Sequence, residues 1–335
     1  MSLPSSLGPS CVGLRVVVRR LLPGETGPTG GPAMTDVLGM LEEWGGSTLT
    51  VRTEDGTRVV VERAHVVAGK PVPPRPPVRL RVPVPVAEHR ALASWPAVEV
   101  ERVGDWVLRA SAGFSARANS ALVLGEPGLP WDDAVARVVA FYTDRELPVW
   151  VQAMHGSVEL GRLLDGGWVT ARPGEADTGF YLAGVAGAAR AVRRLLPAEP
   201  PPVLLDDRAS EAWLADDQRA LLHREAAHAV LEGPDAVAFA TLAEGGVVVA
   251  KGRGALTPGD DPWLGITDVW VHPSHRRRGL AAVVLHALFG WAAERGAATA
   301  YLQARQDNAG ALALYGRLGF SRHHSYRYLR APDPG

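Results

Sequence analysis

The spacing of hydrophobic and polar positions changes rhythm along the chain. Between residues 12 and 70, short valine-rich runs (VGLRVVVRRL, TDVLGMLEEW, STLTVRT and TRVVVERAHVV) are broken by Gly, Pro and Asp. Side chains alternating between two faces are the mark of a strand. TEDGT at 53–57 joins two such runs as a hairpin turn. Four or five short strands in this space predict a small all-β barrel of SH3 size. Residues 1–11 are expected as a disordered tail. Residues 71–85, PVPPRPPVRLRVPVP, are too proline-dense for helix and predict a stiff polyproline linker.

From residue 86 the pattern becomes mixed α/β. WVLRA and SALVL predict strands, and 131–147 predicts a helix with two acids in its first turn. VWVQA at 149–153 predicts a strand, SVELGRLLDGG a short helix and GFYLAGV another strand. The last third repeats this order: a helix over 281–296, a strand at 299–304, a helix over 308–319 and a terminal strand at SYRYL. Laid on each other, the segments match Phe141 with Trp291, Gln152 with Gln303, and Gly167-Trp168 with Gly319-Phe320. Duplication of one α/β unit is the economical explanation, with chance similarity of two amphipathic α/β segments as the alternative, and it predicts halves at 86–200 and 201–330. Trp106, Trp168, Trp263, Trp270 and Trp291 are expected to fill cores.

Composition narrows the functional classes. The 35 basic and 36 acidic residues nearly cancel, so the chain lacks the basic excess of a protein built to hold phosphate backbones. Residues 12–70 carry seven basic and seven acidic residues, which argues against nucleic-acid binding by the barrel and favours an interaction or stabilising module. No apolar run is long enough to span a bilayer, and MSLPSSLGPS lacks the features of a signal peptide. A cytoplasmic location is expected. The single cysteine, Cys11, excludes an internal disulfide framework and a cysteine-based metal cluster, and no metal is expected.

The residues that carry chemistry lie in GITDVWVHPSHRRRGLAAVVLHAL, 265–288. A strand ends at Val271, His272-Pro273 breaks it, and Arg276-x-x-Gly279-x-Ala281 opens a helix. The first turn of a helix has unpaired backbone N–H groups and the positive end of the dipole, so it binds anions. Gly279 permits close approach of a diphosphate and Ala281 keeps the next position small. The N–H groups from Arg277 through Leu280 to Ala281 are the expected donors, with Arg276, Arg277 and Arg278 adding charge at the rim.

This stretch resembles the acyl-CoA-binding motif of the GNAT superfamily of N-acetyltransferases. Asn308-x-x-Ala311-x-x-x-Tyr315-x-x-x-Gly319-Phe320 resembles the family's second motif. The resemblance covers roughly residues 205–330, and residues 86–184 are similar to the degenerate half of tandem members. In that half VLGEPGLPWDDA puts prolines and acids where the phosphate turn stands in the other copy, so cofactor binding is expected in the C-terminal half only. The barrel, the proline-rich linker, GFSARANS and the ending GFSRHHSYRYLR also resemble an actinobacterial family, some of whose members bear a histone-acetyltransferase label.

The resemblance implies a duplicated α/β mixed sheet of GNAT type and acetyl-CoA as cosubstrate. It also implies direct attack by a primary amine, of a small molecule or a protein, on the thioester. Val269 and Val271 would offer main-chain groups to the pantetheine arm. Tyr315 would protonate the leaving thiolate. Asn308 would bond the cofactor arm or cap its helix. Asp268 is the first candidate base, with His272 or water as alternatives. Arg117, Asn119 and Ser120 either line an acceptor cleft between the halves or form a hydrogen-bonded turn. His323 and His324 either line the acceptor pocket or form a surface pair. Two rival readings stand beside the enzyme: a CoA-binding regulatory or scaffold protein without turnover, and a nucleic-acid-associated adaptor working through the barrel. The barrel could equally hold a protein partner.

Overall fold

The computed structural model describes residues 7–27, 30–53, 55–72, 77–172, 174 and 177–332. The chain divides into two compact units, residues 1–77 and 78–335. Most of the expected tail, residues 1–6, and part of the expected linker, residues 73–76, lie outside the described residues.

The first unit is a five-stranded antiparallel sheet: β1 (Arg15–Thr26), β2 (Pro32–Trp44), β3 (Thr48–Thr53), β4 (Arg58–Glu62) and β5 (Val66–Pro71). Their order is β4-β3-β2-β1-β5. The alternating valines and leucines supply its core, with Val16, Val18, Leu41, Leu49 and Val51 fully buried. The β3–β4 hairpin closes at the expected turn, where Thr53 N–H donates to Thr57 O at 2.8 Å. Leu7 and Cys11 are buried in the same core, so ordered chain begins ahead of residue 12.

In the second unit, a helix α1 (Val84–Ser94) leads into β6 (Glu99–Val103), β7 (Trp106–Ala110) and β8 (Ala121–Val123). Pro85 sits in the first turn of α1, where a missing N–H breaks no helical bond. Next come α2 (Trp131–Thr143), β9 (Trp150–Met154), α3 (Val158–Asp165), β10 (Val169–Thr170), β11 (Thr178–Gly184) and α4 (Val185–Arg193). The chain continues through β12 (Leu204–Asp206), α5 (Glu211–Leu214), α6 (Gln218–Leu222), α7 (Arg224–Glu232), β13 (Val237–Glu244), β14 (Val247–Leu256) and β15 (Trp263–Val271). It ends with α8 (Leu280–Glu294), β16 (Thr299–Arg305), α9 (Ala309–Arg317) and β17 (Ser321–Arg330).

All these strands form one sheet in the order β12-β13-β14-β15-β16-β11-β17-β9-β8-β7-β6, with β10 paired to β17. The duplication is visible in its two parallel pairs, β8 with β9 and β15 with β16. Each half has given its last strand to the other. β11 of the first half pairs with β16, and β17 of the second pairs with β9. β11 and β17 pair with each other at the centre, so the two halves share one hydrogen-bonded sheet.

The apolar residues of α8 are not confined to one stripe, and the helix is buried against β13, β14, β15 and α4. Trp106, Trp168, Trp263 and Trp291 are buried. Trp270 differs: it is half-buried, with its ring 5.8 Å from that of His272 in an edge-on contact. Among the described residues no helix is long and apolar enough to cross a membrane.

Candidate active site

β15 and β16 pair in parallel from Trp263↔Thr299 to Ile266↔Leu302, and there the ladder stops. Both strands continue, β15 to Val271 and β16 to Arg305. On its other edge β15 keeps its bonds to β14 as far as Val271↔Ala250. The edge of residues 267–271 facing β16 is therefore an unpaired run of backbone donors and acceptors.

A bulge accompanies this opening. Lys251 pairs with Trp270 and Arg253 with Thr267, which leaves Asp268 and Val269 opposite Gly252 alone. Asp268 has φ +53°, a left-handed conformation that Asp tolerates better than most side chains. Bulges re-aim side chains. Thr267 and Asp268 both line a cavity on one face of the sheet, while Val269 and Val271 pack toward the α8 core on the other.

After Val271 the chain makes a single helical turn at Pro273–His275 and then the arginine-glycine turn. Arg277 (φ +67°) and Gly279 (φ +79°) are both left-handed, and Gly279 is the N-cap of α8. Its carbonyl accepts from Ala282 N–H at 2.9 Å. Among the described residues, no N–H from Arg277 to Ala281 meets a protein acceptor. Arg278 and His275 both bond Glu244, at 3.1 and 3.3 Å, and Arg276 Nε donates to Val271 O at 3.3 Å. The result is a cluster of unpaired donors with cationic side chains at the head of a 15-residue helix.

The matching turn of the first half is closed. Pro130 precedes α2, Asp132 and Asp133 occupy its first turn, and Gly125 N–H is already taken by Glu159 Oε1 at 3.0 Å.

Tyr315 lies on α9, buried in the α8 core with its ring 5.8 Å from Phe320. Burial, and secondarily the Asp268 carboxylate, push its phenol up to about 12. Asn308 caps α9: its Oδ1 accepts from Ala311 N–H at 3.2 Å. His272 stands outside the cavity, half-buried, with Nδ1 held 2.7 Å from Ser274 Oγ.

The cavity beside Asp268 has a volume of about 260 Å³. Gln303 of β16 and Tyr326 of β17 line it, with Trp95 and Arg117 from the first half and Arg219 from α6. Tyr326 Oη donates to Gln303 Oε1 at 2.8 Å. A larger open groove of about 980 Å³ at β12, α7 and the end of α8 shares no lining residue with it.

Of the polar run 117–120, only Arg117 lines the cavity. Asn119 is a turn residue, with Oδ1 accepting from Ser111 N–H (2.8 Å) and Gly113 N–H (2.9 Å). Ser120 belongs to a buried chain that pattern reading missed. Arg109 donates to Ser120 O (2.8 Å) and to Gln152 Oε1 (2.9 Å), and Gln152 donates to Glu88 (3.1 Å). Glu88 meets His324 Nε2 at 2.7 Å. His323 and His324 therefore pair with each other in a partly buried place, 2.7 Å apart at their Nδ1 atoms, and neither lines the cavity beside Asp268. His324 is buried against Glu88 and the Phe180 ring, and His323 Nε2 is bonded to Val82 O. Arg253 is a second buried charge, held by Leu231 O (2.8 Å) and Ser94 O (3.1 Å), and its burial brings the guanidinium down to about 10.

Residues 84–329 match the family described as "Probable histone acetyltransferase Rv0428c C-terminal", and residues 10–70 match "Rv0428c N-terminal Sm-like domain". The chain is 32% identical over 330 residues, 97% of each chain, to "Probable histone acetyltransferase Rv0428c" of Mycobacterium tuberculosis. It is 27% identical over 252 residues, 72% of this chain and 97% of the other, to "Uncharacterized N-acetyltransferase YobR" of Bacillus subtilis. Among solved structures, a GCN5-related N-acetyltransferase from Kribbella flavida shares the fold at a TM-score of 0.50 and 17% identity, over 78% of this chain and 98% of that one. The barrel of SH3 size is thus of Sm-like type, the duplicated sheet is of GNAT type, and the chain belongs to the Rv0428c family of GNAT N-acetyltransferases, whose acetyl donor is acetyl-CoA.

Proposed function

We propose that this chain transfers an acetyl group from acetyl-CoA to a primary amine, with all the reacting groups in its C-terminal half. The observation that carries the reading is the alignment of three features along one strand. The unpaired N–H groups of the arginine-glycine turn stand at one end, the open edge of β15 follows, and the Asp268 bulge ends the line. Arg277 to Ala281 would grip the diphosphate, with Arg276 and Arg278 at its rim. Val269 and Val271 would bond the pantetheine arm through main-chain groups left free where β16 parts from β15. Asn308 supports this arrangement by capping α9 and fixing where Tyr315 stands.

Asp268 takes a proton from the acceptor ammonium, directly or through one water, and the free amine attacks the thioester carbon. The bound geometry makes that attack unimolecular in effect. As the tetrahedral intermediate collapses, Tyr315 gives its hydroxyl hydrogen to the departing sulfur. The proton that the nitrogen still carries in excess returns to the Tyr315 oxygen, directly or through water, leaving the neutral acetylamide and the free thiol. A phenol raised to about 12 carries its proton at neutral pH and releases it only to the strong base that the departing thiolate becomes in the same buried surroundings.

Release of free thiol from acetyl-CoA, followed over a panel of amines, tests the reading. Amine-dependent thiol release with formation of an acetylamide supports it. Tight CoA binding with no turnover on any amine would establish the non-catalytic alternative instead.

A further inference from the structure

The acetyl-transfer reading leaves the acceptor open, and the cavity beside Asp268 narrows it. Asp268, Arg117 and Gln303 all line this cavity, and each carries a buried polar atom with no partner: Asp268 Oδ2, Arg117 Nε and Gln303 Nε2. Among the described residues the Asp268 carboxylate has no salt bridge or hydrogen bond, and the Arg117 guanidinium has no hydrogen bond: it lies over the Trp95 ring, 5.2 Å away, within electrostatic reach of Asp268 but not paired with it. Buried charged and amide groups do not stand alone without a reason. Other guanidinium groups close by are already engaged: Arg219 is paired with Asp217 at 2.8 Å, Arg305 with Asp307 at 3.0 Å, Arg253 is held by Leu231 O and Ser94 O, and Arg172 lies over the Trp150 ring.

The equivalent glutamine of the first half shows what a closed version looks like. Gln152 is satisfied at both ends, by Arg109 and by Glu88. Gln303 has Tyr326 at its oxygen and nothing at its nitrogen. The unmet demand of the cavity is thus one anionic acceptor, one cationic donor and one amide donor. These ask for a molecule with a cation and an anion of its own.

We infer that the acetyl acceptor is a small zwitterion, a primary amine that also carries a carboxylate. Its ammonium meets Asp268, and its carboxylate is bound by Arg117 and Gln303. This rests on the acetyl-transfer reading and goes beyond it. A volume of about 260 Å³ suits a molecule the size of an amino acid, below the roughly 300 Å³ at which drug-sized sites begin. The lining also disfavours a polybasic protein tail. Arg117, Arg172, Arg219 and Arg305 all border the cavity, and like charges brought together repel.

Thiol release from acetyl-CoA is measured with L-lysine, L-glutamate, L-serine and L-phenylalanine, each beside its carboxamide, and with a lysine-rich peptide. Free acids are expected to exceed their amides in kcat/KM by about tenfold or more, the usual worth of a hydrogen bond to a charged group. In Arg117→Gln that ratio should collapse toward one while affinity for CoA is kept. If Arg117→Gln does not fold, Arg117→Lys retains the charge without the planar fork, and the ratio should fall at least threefold. Turnover in which amides or the peptide match the free acids overturns the zwitterion and leaves the acetyltransferase standing. Absence of turnover with every amine overturns the acetyltransferase. Calorimetry of the same amino acids on the CoA-bound protein then decides the pocket: binding lost in Arg117→Gln upholds it, and no binding overturns it.

Discussion

The Tyr315 phenol lies within electrostatic reach of the Asp268 carboxylate, and the carboxylate helps to hold the proton on the phenol. The two come from different elements, α9 and the bulge of β15, and act on each other across the opening between β15 and β16. In the proposed reaction Asp268 accepts a proton and Tyr315 gives one, which is the pairing that an aminolysis of a thioester needs.

Tyr315→Phe separates donation from packing. The ring stays in the α8 core, so thermal stability and CoA affinity should hardly change. Turnover at saturating amine should fall about 10- to 100-fold. Because the phenol titrates near 12, the wild-type rate should show no alkaline fall from this group below about pH 10. A Phe variant with wild-type kcat would reduce Tyr315 to a packing residue.

Asp268→Asn keeps a side chain that tolerates φ +53° and removes only the charge. With no base, kcat/KM should drop on the order of 10²-fold or more, with CoA affinity retained. The loss should shrink as pH rises, because a larger share of the amine then arrives already deprotonated. A pH-independent loss would mean that Asp268 does not handle the proton.

Much of this was legible in the sequence because it rests on local physics. A glycine after three arginines at the start of an apolar helix reads as an anion turn, and Asn308 three residues before Ala311 reads as a cap. The bulge at Asp268 was not legible. It is set by the pairing of Lys251 and Arg253 across the sheet, and no Gly or Pro marks it in TDVWV. Helix α1 was hidden by its own prolines, since Pro83 and Pro85 speak against helix until they are placed at its start. The exchange of β11 and β17 left no local trace either, because a strand pattern does not name its neighbour. His323 and His324 read as a pocket lining or a surface pair, and their burial was hidden for the same reason. Glu88, which buries His324, lies 236 residues away.

Alkali should weaken the folded state through two buried phenols. Tyr142, driven mainly by burial, is raised to about 12, as is Tyr315, against about 10 for an exposed tyrosine. Raised in the fold, both hold their protons more tightly there than in the unfolded chain. Their contribution is intact below pH 10 and is lost as pH climbs from 10 toward 12, on the order of 2 kcal/mol each. Tyr142→Phe should lower stability at pH 8 by about 1 kcal/mol, through the lost bonds to Arg109 N–H and C=O. It should also flatten the decline above pH 10. Urea denaturation at pH 8, 10 and 11.5 measures both effects, and an unchanged slope in the variant would contradict the assignment.

Gly279 is where backbone conformation and the proposed diphosphate site meet. Its φ of +79° lies in the region a β-branched residue avoids, and a Cβ there would meet Leu195 O at 3.3 Å and Pro197 Cδ at 3.4 Å. Gly279→Val should therefore cost about 1–2 kcal/mol of stability from strain alone. The larger effect should fall on the turn, because relaxing that strain rotates the peptide planes that aim the N–H groups of Arg277 to Ala281. CoA affinity should fall at least about 100-fold by calorimetry. Arg278→Ala tests charge without touching the backbone. Since Arg278 is shared with Glu244, its removal should weaken CoA only several-fold, and less so at high salt. A Gly279→Val protein that folds and binds CoA with wild-type affinity would mean that the diphosphate is held somewhere else.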